Sequence, residues 1–282
     1  MKITIIIPVY NEQAHIEHML GSLVGQTTKP SQVIIVDDNS TDNTPSIIKK
    51  YVDTYPWITT VNTHKTSKHS PGAKVIEAFY KGYEKCDLDA QLIGKFDADI
   101  ILPTNYLEKM IGIFASDNLV GMASGNLYIK KRDTWIFENI SEKTKVRGPI
   151  KLYKKECFEA IGGLKKSIGW DTVDGLLAAF HGWKTKTDPL LQVKHLKATG
   201  NAYTSGAKHK QGEAFYKMRY SKTLTRIAAL KLAVSKKDPL FYLHCMQGYN
   251  ISKKQKQPFI VSQQEGEFIR NFRWKAIKKK IL

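Results

Sequence analysis

Leu92-Ile93-Gly94-Lys95-Phe96-Asp97-Ala98-Asp99 is the stretch on which the reading of this chain turns. A short apolar run that ends in two carboxylates one residue apart reads as a buried strand arriving at a cleft. Side chains alternate along a strand, so one carboxylate points away from the core at the carboxyl end, and the turn beyond brings the second round. Paired hard oxygens at such a place suit a divalent cation carrying phosphates. Asp-x-Asp is also an ordinary solvated turn, so its meaning depends on the segments around it.

Outward from that strand, the first half of the chain alternates two patterns. Ile3 to Ile7 is a β-branched run of the kind that sheets covered on both faces require. After the loop Pro8-Val9-Tyr10-Asn11-Glu12, apolar Ile16, Met19, Leu20 and Leu23 recur at helical spacing. Val33 to Val36 is a second strand that ends in Asp37-Asp38-Asn39-Ser40-Thr41-Asp42, with a helix around Pro45 to Tyr51 behind it. Ile58 to Val61 reads as a strand, Gly72 to Tyr83 as a helix, Leu92 to Phe96 as a strand and Tyr106 to Ala115 as a helix. Strands alternating with helices of this length imply βαβ units and a mostly parallel sheet flanked by helices, an α/β, Rossmann-like arrangement. Ligands then bind beyond the strands' carboxyl ends, where Pro8 to Tyr10, Asp37-Asp38 and Asp97-Ala98-Asp99 all fall.

The second half is less regular. Leu119 to Ile129 reads as strands, Trp135 to Val146 as a mobile loop or amphipathic helix, Ile150 to Tyr153 as a strand and Lys155 to Ile161 as a short helix. Gly169 to Asp174 leads into a helix from Gly175 to His181. Val193 to Leu196 is a strand carrying His195. Thr199 to Gly212 looks like a flexible loop whose Lys208 and Lys210 offer positive charge, and the tail is helical from about Phe215 to Leu232. The expected division is 1–130, 131–212 and a basic helical extension over 213–282.

The 282 residues carry 44 lysines and arginines against 26 acids, a net charge of +18. That excess attracts polyanions, whether phosphorylated substrates, anionic lipid or nucleic acid, although no recognised nucleic-acid motif accompanies it. Cys86, Cys157 and Cys245 are widely spaced, odd in number and form no C-x-x-C pair, so neither a disulfide framework nor a zinc knuckle is indicated and a reducing compartment fits. The apolar start is cut short by Pro8 and Asn11-Glu12-Gln13, and nothing approaches the ~20 apolar residues of a membrane span. A cytoplasmic protein is expected, with possible peripheral contact at the inner face of an anionic membrane.

Four pieces taken together resemble the family-2 glycosyltransferases, the inverting nucleotide-sugar enzymes of GT-A fold. They are Ile5-Ile6-Ile7-Pro8-Val9-Tyr10-Asn11-Glu12, Val36-Asp37-Asp38-Asn39-Ser40-Thr41-Asp42, Asp97-Ala98-Asp99, and Gly162-Gly163-Leu164 followed by Trp170-Asp171, in family order over roughly the first two-thirds of the chain. The resemblance implies a GT-A fold with a nucleotide-sugar half, an acceptor half and a divalent cation, Mn²⁺ or Mg²⁺. Asp99 is then a direct metal ligand, with His195 completing the shell, and Asp97 faces the ribose or shares the metal through water. Tyr10 stacks on the base and Asp38 accepts from a uracil N3–H. Pro8, Asn11 and Glu12 shape that pocket, Glu12 reaching a ribose hydroxyl, and Lys74 meets a phosphate. Asp171 is the base for the acceptor hydroxyl and Asp174, three residues on, its rival. The family usually has Glu-Asp where this chain has Trp170-Asp171. Arg270-Asn271-Phe272-Arg273-Trp274 is similar to a motif of processive synthases but stands in the terminal basic helix, so a non-processive transfer of one sugar is expected. The acceptor is a hydroxyl of a glycan or lipid-linked saccharide, in cell-surface glycan synthesis. Two rival readings are a sugar-phosphate nucleotidyltransferase, which would open with a glycine-rich loop where Pro8-Val9-Tyr10-Asn11 stands, and a non-catalytic basic module binding lipid or nucleic acid.

Overall fold

The computed structural model describes residues 1–63, 73–140, 142–197 and 209–281. One nine-stranded sheet organises them. Its strands are β1 (Ile3–Val9), β2 (Gln32–Asp37), β3 (Ile58–Asn62), β4 (Leu92–Phe96), β5 (Ile100–Ile101), β6 (Val120–Lys131), β7 (Thr134–Phe137), β8 (Ile150–Lys154) and β9 (Lys184–His195). The helices are α1 (Ile16–Val24), α2 (Thr44–Thr54), α3 (Ala73–Tyr83), α4 (Tyr106–Ser116), α5 (Lys155–Ala160), α6 (Trp170–Phe180), α7 (Lys210–Lys217), α8 (Lys222–Lys236), α9 (Pro239–Lys254) and α10 (Gln263–Ile281).

Strand order is β3-β2-β1-β4-β8-β6-β9-β5, with β7 paired to β6. Strands β3, β2, β1 and β4 are all parallel neighbours, as the βαβ reading requires. The expected mostly parallel sheet is confined to that half. Beyond β4 the sheet is mixed: β8 runs antiparallel to β4 and β6, β9 parallel to β6, and β5 antiparallel to β9. The reason is that β8 and β5 enter without crossover helices, so no rule of βαβ geometry fixes their direction. The sheet is continuous through residue 130, because β6 joins both β8 and β9.

Alternate residues of the central strands feed two cores. Ile6, Ile34, Val36 and Ile93 face α3, α5, α6 and the C-terminal helices, while Ile5, Ile7, Val33, Ile35 and Phe96 face α1, α2 and α4. That double coverage explains the unbroken apolar run of β1.

Several local expectations change. Residues 134–137 form strand β7, not a mobile loop or helix, held by pairing of Tyr128 with Phe137 and Lys130 with Trp135. Helix α6 begins at Trp170, five residues earlier than expected, so Asp171 lies in its first turn. The expected run from Phe215 to Leu232 is broken between α7 and α8, where Arg219 takes a left-handed φ of 57° without any glycine or proline to announce it. Residues Thr199 to Lys208 of the proposed loop lie outside the described residues, as does Gly72. The rest of that loop is helical: α7 starts at Lys210, and Gly212 lies inside it where a Cβ would come within 1.8 Å of the Cys245 carbonyl of α9. Among the described residues no helix is long and apolar enough to cross a membrane.

Candidate active site

The cleft is built at the carboxyl ends of β1, β2 and β4. The loops after β1 and β2 are stitched together. Asn11 N–H donates to Ser40 Oγ (2.9 Å), Thr41 N–H to Asn11 Oδ1 (2.8 Å), Glu12 N–H to Thr44 Oγ1 (2.8 Å) and Asn43 N–H to Gln13 Oε1 (2.9 Å). Asn11 and Asn39 occupy the left-handed region, which asparagine tolerates better than other side-chain-bearing residues. Pro8 is half-buried in β1, and Tyr10 stands 55% exposed at the rim, free to meet a flat ligand. Asp37 is buried and accepts from the Ser40 N–H, whereas half-buried Asp38 accepts from Thr63 Oγ1 at 2.5 Å. The side-chain nitrogen of Asn39 is buried and unbonded among the described residues.

Across the cleft, Asp97, Asp99, His195, Glu12 and Lys197 form one electrostatic cluster. His195 sits opposite Ile100 where β9 meets β5, with its Nε2 3.7 Å from Asp99 Oδ1. Burial, together with the charge of Asp97, pushes the Asp99 carboxyl up to about 6, against the pull of His195. Burial works against the charged form of His195, yet a hydrogen bond to Glu138 and the charges of Asp99, Glu138 and Asp97 hold it above its ordinary value. Glu138 accepts that bond at Nδ1, 3.3 Å away, and is itself buried against Arg147 at 3.0 Å. With Nδ1–H committed to Glu138, Nε2 turns a lone pair toward the Asp99 oxygen unless a proton or cation lies between them.

That arrangement fits a divalent cation. Two donors of an octahedral ion stand about 3 Å apart, slightly closer than Asp99 and His195 are here. Among the described residues no group of three or more His, Cys, Asp or Glu side chains converges on one point. A cation held by Asp99 and His195 would draw its remaining positions from phosphate oxygens and water, a distribution typical of Mg²⁺ and available to Mn²⁺.

Glu12 is not free to meet a ribose hydroxyl in this arrangement: both of its oxygens hold Lys197 Nζ at 2.6 Å. Asp97 pairs with Lys95, which is almost wholly buried. Lys74 stands half-buried in the first turn of α3, and no hydrogen bond or ion pair among the described residues ties it to the cluster. Lys210, offered earlier as a source of charge for the cleft, is paired instead with Glu213 at 3.1 Å.

Two buried cations stand between Asp97 and the segment that carries Asp171. Lys95 on β4 and Lys151 on β8 are directly opposite one another, a like-charge pairing that is unfavourable unless compensated. The ammonium groups lie 5.1 and 5.4 Å from the centre of the Trp170 ring. Lys151 is compensated by Asp174, whose oxygens stand 2.7 and 2.6 Å from Nζ, and it also donates to the Asp171 carbonyl at 2.7 Å. Tyr153 donates to Asp174 Oδ2 at 2.6 Å. Asp174 is thus fully buried and paired with Lys151 and Tyr153, which speaks against it as the base; Asp171 is half-buried, and its carboxylate has no hydrogen bond or ion pair among the described residues, although Lys145 lies near enough to feel its charge. Sequence reasoning missed Lys95, Lys151, Glu138, Arg147 and Lys197. A lysine inside the apolar run 92–96 was the one visible signal, since lysine is almost never fully buried without a partner.

A family model described as glycosyl transferase family 2 matches residues 4–165. The chain is 25% identical over 215 residues to dolichol-phosphate mannosyltransferase of Pyrococcus furiosus, covering 73% of this chain and 57% of that protein. It is 28% identical over 180 residues to an uncharacterized glycosyltransferase of Mycoplasma pneumoniae, covering 58% of this chain and 57% of that one. The chain thus spans little more than half the length of these curated relatives. Among solved structures it is similar to the mannosyltransferase PcManGT of Pyrobaculum calidifontis with GDP-Man and Mn²⁺ (TM-score 0.60, 18% identity, 98% of this chain and 80% of that one). It is also similar to TarS 1–349 of S. aureus with UDP-GlcNAc (TM-score 0.58, 18% identity, 78% and 65%). At these identities the likeness is one of fold, and the fold is GT-A.

Proposed function

The chain belongs to glycosyl transferase family 2, and from that premise we propose that it moves one sugar, with inversion, from a uridine diphospho-sugar to a hydroxyl of a glycan or lipid-linked acceptor in cell-surface glycan synthesis. The observation that carries this reading is the Asp99–His195 pair beside Asp97, at the strand ends where the two stitched loops meet. Support comes from the two fold neighbours that hold UDP-GlcNAc and GDP-Man, the latter with Mn²⁺.

Tyr10 offers its exposed face to the base, and Asp38 an edge acceptor for the uracil N3–H. The orphaned Asn39 nitrogen has a donor to give at the same end, and an unmet buried donor costs about 1–3 kcal/mol. Asp97 serves the ribose side. Glu12 and Lys197 hold each other, so the lysine ammonium stands beside the place where diphosphate charge accumulates. Asp99 and His195 would hold a Mn²⁺ or Mg²⁺ ion, which when bound neutralises the departing diphosphate as a Lewis acid. Asp171 takes the acceptor hydroxyl's proton while that oxygen attacks the anomeric carbon from the face opposite the leaving group. Lys151, bonded to the Asp171 carbonyl, fixes the turn from which that carboxylate projects, and orientation of this kind is a large part of the rate.

The test is a thermal-shift series with UDP-sugars, followed by a transfer or donor-hydrolysis assay. Stabilisation by a UDP-sugar that requires Mn²⁺ is expected, because a ligand that binds only the folded state raises the melting temperature by mass action. Equal shifts in the presence of EDTA would remove the metal from the scheme. Absence of donor turnover by a protein that still binds lipid or nucleic acid would favour the non-catalytic module.

A further inference from the structure

The C-terminal helices expose an apolar ridge that no described residue covers. Ile227, Leu230 and Val234 recur along α8 at spacings of three and four and are 37, 58 and 71% exposed. The opposite face of the same helix, Leu224, Thr225, Ala229 and Ala233, is buried against the body of the protein. Past the two-residue connection at 237–238, α9 adds Leu240 and Leu243, 59 and 53% exposed. Single exposed leucines are ordinary, but five exposed apolar side chains between residues 227 and 243 of one hairpin mark a surface that is covered in use.

The charge around the ridge identifies what covers it. Residues 221–257 hold eight lysines and arginines and a single acid, Asp238. That acid is spent on capping α9, where its side chain accepts from the Phe241 N–H. Arg226, Lys231, Lys236 and Lys237 are distributed along and at the end of the ridge, with Lys236 Nζ 5.2 Å from the Phe241 ring. A second copy seated on the same face would set this charge against itself. Nucleic acid would answer the cations and leave the leucines wet. An anionic bilayer answers both, taking apolar side chains at the headgroup–acyl boundary and cations at the surface.

We propose that the α8–α9 hairpin seats this chain on an anionic lipid surface, with Leu230, Val234, Leu240 and Leu243 entering the interface and the surrounding lysines on the headgroups. The contact needs neither donor nor metal and is independent of the transfer chemistry.

The experiment is vesicle flotation of the full chain with phosphatidylcholine vesicles doped with phosphatidylglycerol, against phosphatidylcholine alone, at low and high salt. Binding is expected only to the anionic vesicles and is weakened by salt. Leu230→Ser with Val234→Ser reduces the partition coefficient by at least tenfold, since burial of one such side chain is worth about an order of magnitude or more. Lys231→Gln with Lys236→Gln reduces it by roughly fivefold per lysine. All four side chains are exposed, so the melting temperature stays that of the parent and reports that the fold is intact. An unchanged partition of the serine variant, equal binding to neutral vesicles, or a self-association that the serine variant abolishes overturns the proposal.

Discussion

Removing the Asp174 carboxylate strands a buried cation. In Asp174→Ala the Lys151 ammonium, 1% exposed, loses its only carboxylate partner among the described residues while facing Lys95 across the strand pair. Breaking a buried pair by deleting one member costs about 3–5 kcal/mol, more than the pair's own attraction is worth, because the surviving charge stays desolvated. The Tyr153 hydroxyl loses its acceptor in the same step. Against a total stability of about 5–15 kcal/mol, and at roughly 2–4 °C per kcal/mol for a chain of this size, the melting temperature should fall by about 6–20 °C. Thermal unfolding followed by circular dichroism measures it. Lys151→Met combined with Asp174→Asn provides the internal check: it removes the cation, leaves Tyr153 an amide oxygen as acceptor, and should recover at least half the loss. Asp53→Ala, which breaks the exposed Lys49–Asp53 pair, should leave the transition where it was. A fall of only 1–2 °C for Asp174→Ala, or a double variant worse than the single, would refute the claim that the pair neutralises an otherwise uncompensated charge.

Three further outcomes follow from the same geometry. Asp99→Asn should abolish the Mn²⁺-dependent part of the thermal shift given by a UDP-sugar while leaving the apo protein folded, read in the same thermal-shift series. Asp171→Asn should leave that shift intact and lower transfer by about 10²–10⁴-fold, measured as product formed at saturating donor; loss of the donor shift instead would move Asp171 out of the acceptor side. Gly212→Ala should destabilise the chain by about 1–3 kcal/mol, seen in urea unfolding, since its Cβ has no room beside the Cys245 carbonyl.

Legibility in the sequence followed pattern length. Ile3 to Ile7 and Val33 to Val36 could be nothing but covered strands, and the acids that follow them mark the cleft without any structure. Residues 134–137 were opaque because Thr134-Trp135-Ile136-Phe137 shows no polar–apolar alternation, although its side chains alternate between exposed and half-buried on this edge strand. Glu138 gave no signal either, since His195 lies 57 residues on and Arg147 is nine residues away across an irregular stretch with no periodic pattern to pair them. The start of α6 was misplaced because Gly169 introduces it in a left-handed conformation without a side-chain cap, and Trp170 is not a residue that announces a helix. Asp174 read as a rival base because nothing nearby in sequence claims it: the buried lysine that does lies 23 residues earlier on another element.

The reciprocal bonds between residues 11–13 and 40–44 have a consequence for anyone who would re-engineer the donor preference. Neither loop is an interchangeable part, because each supplies the other's missing donors and acceptors. A graft that imports one loop from a paralogue leaves half of these contacts without a mate, whereas a paired transplant carries its own seam with it. Swaps of base selectivity should therefore succeed as two-segment chimaeras and fail as single-loop ones.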